Sequence, residues 1–141
     1  MQAALGVAQL ENLEKSVKKK REIGNLYNEL LSDIENLQLP LVETDYAENI
    51  YWVYGVILKE SISFDAKSAM SQLGQSGIGS RPFFCPMHLQ PALINMGLFE
   101  NEKYPTAENL YKRGFYLPSG LALTESEIVR VSESLRLLIE S

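Results

Sequence analysis

Residues 77 to 88, with the sequence GIGSRPFFCPMH, contain the side chains of this chain that are best suited to chemistry. The segment holds the only cysteine, the only histidine, two of the six prolines and one arginine. Each proline removes a backbone N–H and pushes the residue before it towards extended geometry. We therefore predict an irregular, extended segment that presents Arg81 and His88 at a surface or cleft, where loops often carry binding residues.

Each of these residues also has an ordinary structural explanation. A lone histidine beside prolines is more often a loop residue than a catalytic base, and a lone arginine is usually solvated. Phe83 and Phe84 could point to opposite faces of a short strand and belong to a core. Composition alone therefore supports a candidate binding loop and nothing more specific.

The composition limits the classes of protein to which the chain can belong. Its 141 residues, 45% apolar and 22% charged, fit one ordinary globular domain. A net charge of −5 argues against nucleic-acid binding. A single cysteine excludes an internal disulfide and fits a reducing cytoplasm, and one Cys with one His rules out a standard structural zinc site. No apolar run approaches the roughly 18 residues of a membrane span. We predict a cytoplasmic protein without a metal, nucleic-acid or membrane partner.

Apolar residues recur at three- and four-residue steps over residues 1–36, which predicts one long helix. At about 1.5 Å per residue this helix would span roughly 50 Å, more than the diameter of a compact domain of this size. No N-cap residue precedes it. We therefore expect the chain to begin mid-structure and the first half of the helix to pack on a structure outside this chain. The basic run from Lys18 to Arg21 is predicted to be a solvated helix face.

The rest of the chain predicts short strands and shorter helices. Together they indicate an α+β fold: one long N-terminal helix and a small, mostly antiparallel three-stranded sheet packed by shorter helices. Residues 86–104 are predicted to be irregular. The predicted strands are 50–58, 80–84 and 115–117, and the predicted helices run from Ser63 or Asp65 to Leu73, from Pro105 to Lys112, and onward from a Thr124–Glu127 capping box.

Several motifs follow one another in a recognisable order. MQAALGVAQL and KREIGNLYNELL form the long helix, GIGSRPFFCPMHLQP follows, and YPTAEN, LP and TESEI close the chain. In this order they resemble the C-terminal small domain of the DegT-type sugar aminotransferases, which are pyridoxal phosphate (PLP) enzymes of fold type I. The Arg-Pro-Phe-Phe segment resembles the GDP-perosamine synthase branch in particular. The resemblance covers essentially all of residues 1–141.

The resemblance implies a homodimeric enzyme that moves an amino group, typically from glutamate, to a keto-sugar on a nucleoside diphosphate for polysaccharide biosynthesis. GDP-4-keto-6-deoxymannose is the candidate substrate. The large domain of the family supplies the lysine that holds PLP, and this chain contains no counterpart of that domain. None of its eight lysines follows the family motif, and no glycine-rich phosphate loop is present. Because PLP transamination requires that lysine, we expect no catalytic or cofactor-binding residue in this chain and no activity of the chain alone.

The resemblance also places Arg81, Phe83, Phe84 and His88 on the substrate side of the cleft between the two domains. The guanidinium of Arg81 suits either a diphosphate or the carboxylate of the amino donor. Phe83 or Phe84 would form an apolar wall against sugar or base. His88 would donate a hydrogen bond to a phosphate or a sugar hydroxyl. Cys85 stands where a bulkier residue is expected, which leaves the sugar specificity open.

Three hypotheses about the chain as a whole remain. It is the small domain of a nucleotide-sugar aminotransferase, incomplete alone; or it is a non-catalytic module that binds a nucleotide sugar or oligomerises through its first helix; or it completes an active site with a separately encoded large domain. The partners expected are accordingly a nucleotide sugar, a large domain, or a second copy of the chain.

Overall fold

The computed structural model, which describes residues 1–140, divides the predicted N-terminal helix into two. Helix α1 (Gln2–Glu11) and helix α2 (Leu13–Leu31) meet at Asn12, whose φ of −103° and ψ of 5° interrupt the helix. The Asn12 side chain donates a hydrogen bond to the Ala8 carbonyl at 3.0 Å. An asparagine that binds the backbone in this way competes with the helical hydrogen bonds. The predicted helix over 1–36 is therefore corrected to two helices that end at Leu31.

The predicted α+β fold is confirmed, with one strand more than expected in the sheet. The strands are β1 (Leu37–Gln38), β2 (Glu43–Thr44), β3 (Ala47–Glu48), β4 (Tyr54–Leu58), β5 (Arg81–Pro82) and β6 (Gly114–Leu117); the helices after α2 are α3 (Ala66–Gln75), α4 (Pro91–Asn95), α5 (Pro105–Arg113) and α6 (Glu125–Glu140). The sheet is antiparallel and has the strand order β1-β4-β6-β5, and β2 and β3 form a separate hairpin. The short edge strand β1 and the hairpin were not predicted from the sequence.

The two faces of the sheet have different surroundings. On the inner face, the β4 and β6 side chains are buried in a core shared with α2, α3 and α6. The alternate residues Gly55, Ile57 and Tyr116 lie on the outer face and are only partly buried. Because successive strand residues point to opposite faces, Arg81 of β5 lies on the outer face with its register partner Tyr116. The inner-face core residues of β4 and β6 are Tyr54, Val56, Leu58, Phe115 and Leu117.

A tyrosine–asparagine network joins α2 to the sheet. The rings of Tyr27 and Tyr54 stack at a centroid distance of 4.6 Å. Asn28 donates from Nδ2 to the Tyr51 hydroxyl at 2.8 Å and accepts from the Tyr54 hydroxyl at 2.7 Å. Burial raises the pKa of Tyr27 and of Tyr54. These polar groups are therefore satisfied inside the core, which favours one fixed arrangement of helix and strand.

The predicted helix caps are present in the structure. The Asp65 carboxylate accepts a hydrogen bond from the Ser68 N–H at 2.9 Å, so Asp65 and not Ser63 caps α3. At α6, the Thr124 N–H donates to Glu127 Oε2 at 2.8 Å and the Glu127 N–H donates to Thr124 Oγ1 at 3.3 Å. This reciprocal pair is the predicted capping box. The same backbone donors hold the pKa of Asp65 and of Glu127 below their usual values.

Part of the basic run on α2 anchors the loop before β4. Lys20 Nζ donates to the carbonyls of Trp52, at 2.8 Å, and of Ser119. Arg21 Nη2 lies 2.7 Å from Glu48 Oε2 on the hairpin. Burial lowers the pKa of Lys20. The prediction of a purely solvated face is therefore wrong at these two positions.

Helix α1 contributes no side chain to the core of the described residues. None of its residues is buried, and Leu5 and Leu10 are 64% and 68% exposed. The first ten residues contain no charged side chain. A helix that is apolar on most of its surface is typical of a buried position. Within residues 1–140, no helix has the length and apolar character needed to cross a membrane.

Candidate functional site

The segment that follows α3 forms the end strand of the sheet and then turns away from it. Strand β5 is only two residues long, Arg81–Pro82, and the Phe83 N–H adds one more hydrogen bond to the Gly114 carbonyl at 3.3 Å. A 3₁₀ turn over Met87–Leu89 and helix α4 then replace the irregular structure predicted for 86–104. Pro82 is tolerated here because β5 is an edge strand, on which a residue without an N–H interrupts no hydrogen bond between strands.

Phe83 lies across the outer face of the sheet, where two glycines make room for its ring. A Cβ added at Gly55 would lie 3.0 Å from the Phe83 ring, and one added at Gly114 would overlap that ring and lie 2.6 Å from the Leu110 carbonyl oxygen. The Phe83 and Tyr116 rings pack with a centroid distance of 4.6 Å. Phe83 and Tyr116 therefore form a fixed aromatic surface on the same face as Arg81.

His88 is turned inward, which corrects the expectation that it is presented at a surface. It is only 9% exposed, and its Nε2 lies 2.9 Å from Glu108 Oε1 on α5. Glu108 Oε1 also accepts the Tyr104 N–H at 3.0 Å, and the His88 and Tyr104 rings lie 4.8 Å apart. Because an ionised carboxylate only accepts hydrogen bonds, Nε2 is the protonated nitrogen. His88 thus fastens the 3₁₀ turn to α5.

The His88–Glu108 contact is expected to weaken in acid. The Tyr104 N–H, and then His88, hold the pKa of Glu108 below its ordinary value of 4.5. A carboxyl with a depressed pKa stabilises the fold above its unfolded-state pKa, and this contribution is lost as the pH falls through the lower, folded-state pKa. The backbone amide shift of Tyr104, followed by NMR against pH, should therefore titrate with a midpoint below 4.5. Glu108→Gln should remove that titration, and a midpoint at or above the ordinary value would contradict the assignment.

Arg81 and Phe84 are exposed, and the guanidinium of Arg81 has no hydrogen-bond or ion-pair partner among the described residues. Phe84 is 80% exposed, beyond the end of β5. The side chains of the other four arginines all make hydrogen bonds or ion pairs, whereas the guanidinium of Arg81 makes neither within residues 1–140. Of the four predicted site residues, the structure thus places Arg81 and Phe83 on one face, leaves Phe84 in solvent and buries His88. The partners of the other arginines are Glu48 for Arg21, backbone carbonyls for Arg113 and Arg130, and Asp33 with Glu140 for Arg136.

Sequence reasoning missed Tyr116 and the two glycines of the outer face. Tyr116 follows Phe115 in a short strand, and no local signal indicates which of the two aromatic residues faces the core. The register supplies this information, because Arg81 and Gly55 are both direct partners of Tyr116. Cys85, by comparison, is half-buried and donates only a weak hydrogen bond to the Pro86 carbonyl at 3.7 Å.

Comparison with known protein families decides the classification. The model of the DegT/DnrJ/EryC1/StrS aminotransferase family matches residues 1–136. The chain belongs to this family. The DegT family is PLP-dependent, and a PLP-bound sugar aminotransferase is among the solved structures that share its fold.

Curated relatives of the DegT family extend well beyond the matched region. The GDP-perosamine synthase of Vibrio cholerae is 30% identical over 135 residues, which cover 95% of this chain and 35% of that protein. The spore coat polysaccharide biosynthesis protein SpsC of Bacillus subtilis is 27% identical over 142 aligned residues. The alignment covers 99% of this chain and 36% of SpsC. This chain therefore spans about a third of the length of these relatives.

Solved structures of aminotransferases share the fold. The aminotransferase TlmJ of Streptoalloteichus hindustanus superposes with a TM-score of 0.81 at 26% identity, over 96% of this chain and 35% of TlmJ. PseC of Helicobacter pylori, an aminotransferase of pseudoaminic acid biosynthesis, gives a TM-score of 0.86 at 20% identity. The superposition covers 99% of this chain and 37% of PseC. The match with PseC supports the fold alone.

Three lysines of this DegT-family chain have surroundings that bear on whether they could hold PLP. Lys20, whose pKa burial lowers, donates its hydrogen bonds to two backbone carbonyls. Lys67 and Lys112 line a cavity of about 320 Å³ at the start of α3. There the Asp65 carboxylate already caps the helix and occupies the place that a phosphate would take. Lys20 and this cavity therefore do not fit the cofactor, and no reaction step is assigned to them.

Proposed function

We propose that this chain is the small domain of a nucleotide-sugar aminotransferase of the perosamine-synthase type and does not transfer amino groups by itself. The observation that carries this proposal is the family match over residues 1–136 to enzymes about three times as long. The contacts of Lys20 and the surroundings of Lys67 and Lys112 support the inactivity of the chain alone, because PLP transamination needs a lysine that holds the cofactor. The single cysteine fits a location in the cytoplasm.

The large domain is the proposed partner of the helical region over residues 1–36. Helix α1 exposes its leucines and contributes nothing to the core of the described residues. Exposed apolar surface of this kind marks an interaction site. Self-association through α1, as in an oligomerisation module or the family's homodimers, is the alternative that the same exposure supports. Sedimentation of the purified chain separates the two, because a stable dimer that buries α1 would favour self-association.

The outer face of the sheet is the proposed substrate side of this domain. Arg81 offers an unpaired, permanently charged guanidinium that suits the diphosphate of a nucleotide sugar such as GDP-4-keto-6-deoxymannose. Phe83 supplies a fixed apolar surface beside it, and the exposed Phe84 follows Phe83 beyond the end of β5. His88 contributes by holding the segment through its contact with Glu108.

Replacing Arg81 by alanine should weaken nucleotide-sugar binding by about tenfold or more, because the ligand loses a charge-assisted hydrogen bond. The measurement is isothermal titration of the 141-residue chain with GDP-mannose and with UDP-glucose. Arg130→Ala is the matched control, since Arg130 lies on α6 and makes one hydrogen bond, to the Ser76 carbonyl.

Two results would contradict the proposal. Equal binding by Arg81→Ala and the unsubstituted chain would remove Arg81 from the substrate site. An imine absorbance band with added PLP, together with amino transfer from glutamate, would show that the chain is a complete enzyme.

A further inference from the structure

Arg81 and Tyr116 are direct neighbours on the outer face of the sheet. The register pairs Arg81 with Tyr116 and Tyr116 with Gly55, so the three residues form one row across β5, β6 and β4. Directly opposed residues of antiparallel strands have their Cβ atoms about 4.5–5.5 Å apart on the same face. The row ends in a glycine, so no side chain from β4 stands beside Tyr116.

The side-chain polar groups of both residues are unpaired within residues 1–140. The hydroxyl groups of four of the seven tyrosines take part in hydrogen bonds, and Tyr116 is not among them. Of the three others, Tyr46 lies on the exposed hairpin and Tyr111 on α5, so Tyr116 is the one on the sheet. The guanidinium and the phenol of these two register partners are therefore both without a hydrogen-bond partner among the described residues.

The Tyr116 ring is held in place before any ligand arrives. It packs on Phe83 at a centroid distance of 4.6 Å with an interplanar angle of 36°. Phe83 is itself confined above Gly55 and Gly114. A side chain that is already ordered loses little conformational entropy when it binds a ligand.

We propose that Tyr116 binds the same oxyanion group as Arg81, with its O–H donating one hydrogen bond while the guanidinium supplies the charge. A group with several oxygens, such as a phosphate of a nucleoside diphosphate or the carboxylate of an amino donor, accepts from both residues at once. The inference rests on the proposed function, because it takes Arg81 as a substrate-binding residue. It adds a neutral donor that selects oxygen-rich anions and fixes their orientation.

Tyr116→Phe tests the inference, because it removes the hydroxyl and keeps the ring on Phe83. Binding of GDP and of glutamate is measured separately by isothermal titration, and ¹⁵N NMR records whether the Gly55 and Tyr116 amides shift with each ligand. We expect Tyr116→Phe to weaken the binding of one of the two by about tenfold, as for the loss of a hydrogen bond to a charged group. Tyr111→Phe, which removes an unpaired hydroxyl outside the sheet, should leave both affinities unchanged.

The outcomes separate the inference from the function on which it rests. Weaker GDP binding assigns the pair to a phosphate, and weaker glutamate binding assigns it to a carboxylate. Unchanged binding by Tyr116→Phe, with Arg81→Ala weakened, overturns the role of Tyr116 and leaves the proposed substrate face intact. Unchanged binding by both variants, or no binding of either ligand by the chain up to its solubility limit, overturns both. Urea denaturation of Tyr116→Phe confirms that a loss of affinity does not come from unfolding.

Discussion

Replacing Arg113 by methionine is expected to lower the free energy of unfolding by about 3 kcal/mol. Arg113 is the last residue of α5, and it is only 8% exposed. Its guanidinium donates to the carbonyls of Leu58, Phe64 and Ile62, each at 3.0 Å, and to that of Lys59. No carboxylate pairs with it among the described residues. Methionine fills much of the same volume but leaves these carbonyls without their donor.

The size of this effect follows from burial. A polar group that loses its partner in the interior costs about 1–3 kcal/mol, and several carbonyls lose theirs together. The whole domain is expected to be stable by only about 5–15 kcal/mol, so the loss is a large part of the total. Arg113 also fixes the end of α5, the helix that carries Glu108. The variant should therefore loosen the His88 contact as well.

Arg130→Met is the matched control for Arg113→Met. Arg130 is exposed and donates to one carbonyl, that of Ser76, at 2.8 Å. An exposed hydrogen bond of this kind should be worth less than about 1 kcal/mol. Urea denaturation of both variants, followed by circular dichroism, measures the difference. Equal destabilisation would mean that the carbonyl cluster around Arg113 contributes nothing specific.

The parts of the fold that the sequence predicted correctly depend on local chemistry. The cap of α3 by Asp65 and the Thr124–Glu127 box each involve residues three positions apart. The aromatic and β-branched run over residues 50–58 indicated a strand, and the structure keeps its second part as β4, Tyr54–Leu58. The family motifs likewise lie in contiguous segments, so their order could be read without knowledge of the fold.

The parts that could not be predicted depend on contacts between distant segments. Lys20 lies in a run of charged residues, and only the position of Trp52, 32 residues away, makes it an anchor. His88 was expected to be presented at a surface or cleft because prolines surround it. In the structure it is buried and contacts Glu108, 20 residues later. Arg81 and Tyr116 become neighbours only through the register of β5 and β6.

Gly24 shows most directly how a distant contact reverses a local expectation. As a glycine inside a helix, it costs α2 about 1 kcal/mol relative to alanine. In the structure, a Cβ at this position would lie 2.6 Å from Cδ1 of the Tyr51 ring and closer still to two other ring atoms. Tyr51 cannot easily retreat, because its backbone has a φ of 49°, its N–H donates to Asn49 Oδ1 at 2.7 Å and its hydroxyl accepts from Asn28. The glycine is therefore required by the packing of α2 against Tyr51.

Gly24→Ala should accordingly lower the free energy of unfolding by about 2 kcal/mol, because the cost of overpacking exceeds the gain in helix propensity. Gly74→Ala is the matched control, since Gly74 also lies in a helix, α3, and a Cβ there meets nothing within 4 Å. That variant should raise the free energy of unfolding by about 0.5–1 kcal/mol. Urea denaturation of the two variants should thus give changes of opposite sign. If Gly24→Ala were stabilising as well, Tyr51 would be free to move, and the loop that Lys20 and Arg21 hold against α2 would be less rigid than its contacts indicate.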